Sequence, residues 1–139
     1  MIATERLASI ERIEHRRGPI AGVVCIALAA LFLTFDSALK VLSLRPAVEG
    51  TIALGYPVEL VQWIGIAELV CVAVYLLPRT SVLGGLLLTG YLGGAVATHV
   101  RISSPLATHV LFPIYVAIVL WLGLYLRDQR LRQLLPLVQ

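Results

Sequence analysis

The chain has 139 residues, of which 59% are hydrophobic and only 14% charged, and its mean hydropathy is +0.92. A soluble domain carries about 25% charged and roughly 45–50% apolar residues, so this composition excludes a disordered segment, a disulfide scaffold and most soluble enzymes, and the length allows one domain. The formal charge of +3 would point to nucleic acid in a soluble protein, but here the basic residues stand at the two termini beside apolar segments, which favours anionic lipid and topology control, with no nucleic-acid partner.

Residues 1–18 are polar and charged, with Glu5, Arg6, Glu11, Arg12, Glu14, His15, Arg16 and Arg17. Leu7, Ile10 and Ile13 recur at helical spacing. The segment reads either as a short amphipathic helix on the membrane surface or as a flexible, solvated tail.

Four apolar segments follow, at about 20–44, 60–77, 82–100 and 106–126. A spanning helix rises about 1.5 Å per residue and needs roughly 17–25 residues, so all four qualify. Backbone polar groups in hydrocarbon must be paired within each segment, which selects helices, and the alternating strands of a barrel are absent. Pro78-Arg79-Thr80-Ser81 and Arg101-Ile102-Ser103-Ser104-Pro105 are tight turns; Arg45 to Glu59, with Pro46, Gly50, Gly55 and Pro57, is the one longer loop. Short links make neighbours antiparallel. The expected fold is all-α: a four-helix transmembrane bundle over 19–126, a cytoplasmic tail over 127–139, and short interfacial helices at both termini. Leu131, Leu134, Leu135 and Val138 carry the apolar face of the second such helix.

Arg6, Arg12, Arg16, Arg17, Arg79, Arg127, Arg130 and Arg132 share one side of this topology, while the other side has Arg45 and Arg101, with Lys40 at its edge. The positive-inside rule then places both termini in the cytoplasm of a multi-pass cell-membrane protein, with Trp121 and Tyr125 in the inner aromatic belt. Cys25 and Cys71 lie inside apolar stretches, form no CxxC, and read as small buried hydrophobes.

An ionisable residue in hydrocarbon costs at least about 2.5–3.5 kcal/mol, so each needs a partner, a wet cavity or an interface. By helical rise, Asp36 lies roughly 24 Å from the inner face, Lys40 a turn further out, and Glu68 roughly 12 Å below the outer face. His99 ends the third span and His109 opens the fourth on that same outer side, near Tyr56 and Gln62. The outer half is therefore polar and the inner half aliphatic, which predicts an outer-side polar pocket. Asp36 and Lys40 stand at i, i+4 and form either an interfacial ion pair or a pocket acid with its counter-charge. Glu68 has no partner on its own helix; desolvation favours its neutral acid unless a cation approaches. It is either a structural hydrogen bonder or a proton donor, acceptor or ligand contact.

His99 shares a helix face with Tyr91 and Ala95. It reads as an interfacial hydrogen bonder, or as a general base if Asp36 or Glu68 sets its tautomer. His99 and His109, ten residues apart across a turn, also raise bis-histidine haem ligation, and with Glu68 a zinc site, on unspecific spacing. Gly90 and Gly94 form a GxxxG continued by Thr98, read first as internal helix packing and second as a homo-oligomer contact. Pro113 frees a carbonyl in the fourth span, and Tyr115 follows it as a pocket-lining candidate.

These residues resemble a known family. Phe35-Asp36-Ser37-Ala38-Leu39-Lys40 is similar to the end of the first span in DoxX-like membrane proteins, Leu54-Gly55-Tyr56-Pro57 to their loop before the second, and Gly65-Ile66-Ala67-Glu68-Leu69 to their glutamate-bearing helix. Leu76-Leu77-Pro78 and the run from Tyr91 to His99 resemble the following turn and third helix, and the likeness covers roughly 25–126. The resemblance implies a four-helix integral membrane protein; the family takes its name from a subunit of a thiosulfate:quinone oxidoreductase. Asp36 departs from the small or otherwise polar residue usual at that place.

Three functions fit the residues. The first is binding of a small lipophilic molecule, quinone or isoprenoid-like, in the outer-side pocket, with a redox-associated or accessory role; Lys40, Tyr56, Gln62, Tyr91, His109 and Tyr115 are its candidate contacts. The second is a membrane-embedded acid–base enzyme, of isomerase or epoxide-opening type, with Asp36, Glu68 and His99 as catalytic groups and Tyr56 or Tyr115 as donor. The third is a structural or assembly subunit whose polar cluster joins helices.

Overall fold

A computed structural model describes residues 2–134, with side chains over 20–133. In chain order the elements are α1 (Ile2–Val41), α2 (Arg45–Ala53), α3 (Glu59–Leu76), α4 (Ser81–Arg101), a π-helical turn (Leu106–Val110), α5 (Phe112–Arg127) and α6 (Gln129–Leu134). Among the described residues there is no strand. Four stretches are long and apolar enough to cross a membrane: Ile20–Val41, Glu59–Leu76, Ser81–Arg101 and Leu106–Arg127. The apolar face expected of Leu7, Ile10 and Ile13, and that of Leu134, Leu135 and Val138, lies outside the described side chains.

The four spans close a square. α1 packs on α3 and α5, and α4 packs on the same two. The α1 face that makes this core is Gly22, Ile26, Ala29, Ala30, Leu33 and Ser37, at intervals of one helical turn or less. Ile20, Leu28, Leu31 and Phe35 of the same helix are exposed, as are Trp63, Leu86, Ile118 and Leu122 around the square. No more than 33% of any span is buried inside the molecule. Aliphatic surface on that scale is an aggregation hazard in water and the ordinary condition of a helix in lipid.

Near Gly84 the α3–α4 turn is tight. A Cβ there would sit 2.2 Å from the Tyr75 backbone nitrogen, so only glycine permits the approach. Below it, the Tyr75 hydroxyl donates to the Leu120 carbonyl at 3.0 Å, tying α3 to α5. Trp121 Nε1 donates to Thr89 Oγ1 at 2.9 Å, tying α5 to α4. Arg132 donates to the carbonyls of Tyr125 (2.7 Å) and Leu126, occupying acceptors that the end of α5 leaves free. Both cysteines are free and half-buried.

Two expectations are corrected. The segment from Arg45 to Glu59 is not a plain loop: Pro46 starts a nine-residue helix from an extended Leu44, and Gly55, at φ +86°, turns the chain out of it. A proline is well placed at a helix start, where its missing N–H has no partner to lose. The fourth span is not one kinked helix either. Val110 and Leu111 donate to carbonyls five residues back, at 3.4 and 2.9 Å, before Pro113 opens α5 in its first turn.

Candidate functional site

At the end of the bundle that carries α2, helices α1 and α3 cross closely at Gly65. A Cβ on Gly65 would lie 2.6 Å from the Lys40 Cβ and 2.9 Å from the Ser37 carbonyl oxygen. Glu68 follows Gly65 by three residues and so faces the same way. The crossing therefore sets Lys40 of α1 against Glu68 of α3.

Lys40 Nζ donates to Asp36 Oδ2, to Glu68 Oε2 at 2.9 Å and to the Tyr91 hydroxyl at 2.9 Å. Tyr91, from α4, donates onward to Glu68 Oε2 at 2.8 Å. The Lys40 ammonium also stands 5.5 Å from the Tyr91 ring centroid. Three helices thus meet through one ammonium, two carboxylates and one phenol. The Glu68 side chain is 0% exposed and that of Lys40 16%, while Asp36 keeps 38% of its surface. Glu68 Oε1 is buried and has no hydrogen-bond partner among the described residues.

This cluster lies on the wall of a cavity of about 770 Å³. Phe32, Leu33, Leu92, Phe112 and Val116 supply apolar walls, and Pro46, Ala47, Gly50 and Thr51 of α2 form a roof. The roof is fastened by Arg101 Nη2, which donates to the Leu54 carbonyl at 2.7 Å, and by Tyr56, whose hydroxyl lies 3.0 Å from Thr98 Oγ1. Phe32 and Phe112 meet edge to face with centroids 5.4 Å apart.

His99 and His109 line the same cavity near the end of α4. Their rings meet edge to face, centroids 5.6 Å apart. His99 Nδ1 pairs with Ser104 Oγ at 3.0 Å and His109 Nδ1 with Thr108 Oγ1 at 2.8 Å. The hydroxyl of Ser104, not a carboxylate, therefore orients His99. Two helical turns separate His99 from Tyr91, about 12 Å along α4. The acid cluster and the histidines thus share a cavity but stand at different levels of it. Among the described residues, no group of three or more His, Cys, Asp or Glu side chains is placed to hold a metal ion.

Of the sequence candidates, Asp36, Lys40, Tyr56, Glu68, Tyr91, His99 and His109 line the cavity; Gln62 and Tyr115 are exposed and do not. The GxxxG is corrected as an internal packing face. A Cβ on Gly90 or Gly94 would meet nothing within 4 Å, and both glycines line the cavity. Gly65 and the α2 roof are the parts that sequence reading missed. A signal for Gly65 was present in its spacing of three from Glu68.

The DoxX-like family model matches residues 24–123, a stretch that contains every member of the Asp36–Lys40–Glu68–Tyr91 cluster. No curated protein and no solved structure matches the chain.

Proposed function

As the chain belongs to the DoxX-like family and is an integral membrane protein with four spanning helices, we propose that it binds a small lipophilic molecule, quinone or isoprenoid-like, in the cavity beneath α2, in a redox-associated or accessory role. One observation carries this reading: a cavity of about 770 Å³ with apolar walls has its carboxylates and its ammonium gathered at a single cluster. Ligand sites typically enclose about 300–1,000 Å³, with apolar walls for affinity and a few convergent polar groups for orientation. At about 25 cal/mol per Å² of apolar surface buried, the walls are the main source of binding energy. The cluster selects which end of the ligand enters.

In this proposal the α2 end faces outward, because Arg79, Arg127, Arg130 and Arg132 gather at the opposite end. Both termini then lie in the cytoplasm. The acid–base alternative has less support, since His99 is bonded to Ser104 and not to Asp36 or Glu68.

The test is mass spectrometry of lipophiles that copurify with the chain, compared with a Gly94→Leu variant. A Cβ at Gly94 meets nothing, so leucine should extend into the cavity without disturbing the helices. Loss of a specific copurifying lipophile, with unchanged thermal unfolding in detergent, supports the reading. Identical lipid profiles for the two proteins overturn it and favour a structural subunit.

A further inference from the structure

We propose that the cavity selects lipophiles whose head donates a hydrogen bond, an alcohol, phenol or amine, over those whose head only accepts one. This rests on the binding function proposed above and names the ligand class.

The argument is a count of protons at the polar end of the cavity. Lys40 has three N–H donors, and Asp36, Glu68 and Tyr91 take all three. The Tyr91 proton goes to Glu68. Thr51 donates to the Ala47 carbonyl at 2.7 Å, and Thr98 to the Gly94 carbonyl at 2.9 Å. With the Thr98 proton committed, Tyr56 is the donor of the bond between their hydroxyls. Every donor of the Asp36–Lys40–Glu68–Tyr91 cluster is used within the chain, and so are the hydroxyl protons of Thr51, Thr98 and Tyr56.

Acceptors remain. Glu68 Oε2 accepts twice, from Lys40 and Tyr91, while the buried Oε1 accepts nothing from the described residues. Asp36 Oδ1 makes no side-chain hydrogen bond among the described residues, and Asp36 is more accessible than Lys40 or Glu68. The charges agree with this count: two carboxylates face one ammonium. A hydroxyl or amine head completes the network. A ketone, ether or carboxylate head meets oxygen lone pairs with no proton between. His99 and His109 each keep one ring nitrogen outside the bonds to Ser104 and Thr108, and they belong to the other level of the cavity.

The experiment measures equilibrium binding to the full chain in nanodiscs with two matched pairs, farnesol against farnesyl methyl ether and decylubiquinol against decylubiquinone. In each pair the donor is expected to bind roughly tenfold to a hundredfold more tightly, the range for one hydrogen bond to a charged group. Glu68→Gln should narrow or reverse the ratio. Its amide oxygen can accept from Lys40 and Tyr91 in place of Oε2, which leaves an NH₂ donor where Oε1 stood. Asp36→Asn, at a partly exposed position, is a second variant that should lower the ratio even if Glu68→Gln does not fold. Equal binding within both pairs, or a preference for ether and quinone, overturns the inference while leaving lipophile binding intact. A ratio that both variants leave unchanged also overturns it. Failure of all four compounds to bind overturns this inference together with the proposed function.

Discussion

Lys40 is the residue on which the cluster depends. Its ammonium joins two carboxylates that would otherwise face each other across the α1–α3 crossing. Replacing one partner of a buried ion pair leaves uncompensated charge and costs about 3–5 kcal/mol. Lys40→Met should therefore lower the thermal unfolding midpoint markedly, whereas Lys40→Met combined with Glu68→Leu should recover much of the loss. Thermal unfolding of both variants and of Glu68→Leu, completed as a double-mutant cycle, checks this; losses that simply add would show that the pair is not coupled. Tyr91→Phe removes one donor to Glu68 and should cost about 1.5–3 kcal/mol, the range for a hydrogen bond to a charged acceptor. Much of this site was legible before the structure. The spacing of four joined Asp36 to Lys40, and Glu68, without a partner on its own helix, required one from elsewhere. Which partner was not legible. Counting along a helix places a residue at a depth, but the neighbour it faces is set by helix rotation and crossing. His99 therefore stayed open between an interfacial hydrogen bonder and a base oriented by a carboxylate, and in the fold it turns to Ser104.

Among the elements, the crossing at Gly65 and the open face at Gly90 and Gly94 ask opposite things of glycine. A Cβ on Gly65 meets the Lys40 side chain and α1 backbone atoms within 3 Å. Backbone cannot swing aside as a flexible side chain can, so Gly65→Ala must part α1 from α3, at about 1–3 kcal/mol for such overpacking. The same substitution at Gly94 meets nothing, and alanine favours an exposed helix by up to about 1 kcal/mol over glycine. Gly65→Ala should lower the unfolding midpoint and Gly94→Ala should hold or raise it. Melting curves of the two proteins in one detergent decide the matter, and equal losses would refute it. The spans themselves were readable, because uninterrupted apolar length is a strong signal. α2 was not. Pro46, Gly50 and Gly55 within fifteen residues read as loop punctuation, yet Pro46 sits where a helix tolerates proline and Gly50 has no neighbour to displace. Pro113 misled in a related way: it starts α5 after a π-helical turn, and does not bend a continuous helix.

The whole molecule is polarised along its length. One end holds α2, the cavity and the Asp36–Lys40–Glu68–Tyr91 cluster, and the other holds Arg79, Arg127, Arg130 and Arg132 around the short α3–α4 turn and α6. Between them the outer surface is a belt of leucine, isoleucine and valine. The cationic end resists translocation and is attracted to the anionic cytoplasmic leaflet. The proposed orientation follows, and it decides from which side a ligand reaches the roof. Single cysteines can test it in a chain whose Cys25 and Cys71 have been replaced by alanine. Gly50→Cys puts a thiol on α2 where a Cβ has no neighbour, and Gln129→Cys puts one on the exposed face of α6. In intact cells an impermeant maleimide should label the α2 thiol and spare the α6 thiol until the membrane is opened. The reverse pattern would turn the molecule over, place the cavity mouth toward the cytoplasm, and require the ligand to come from that side.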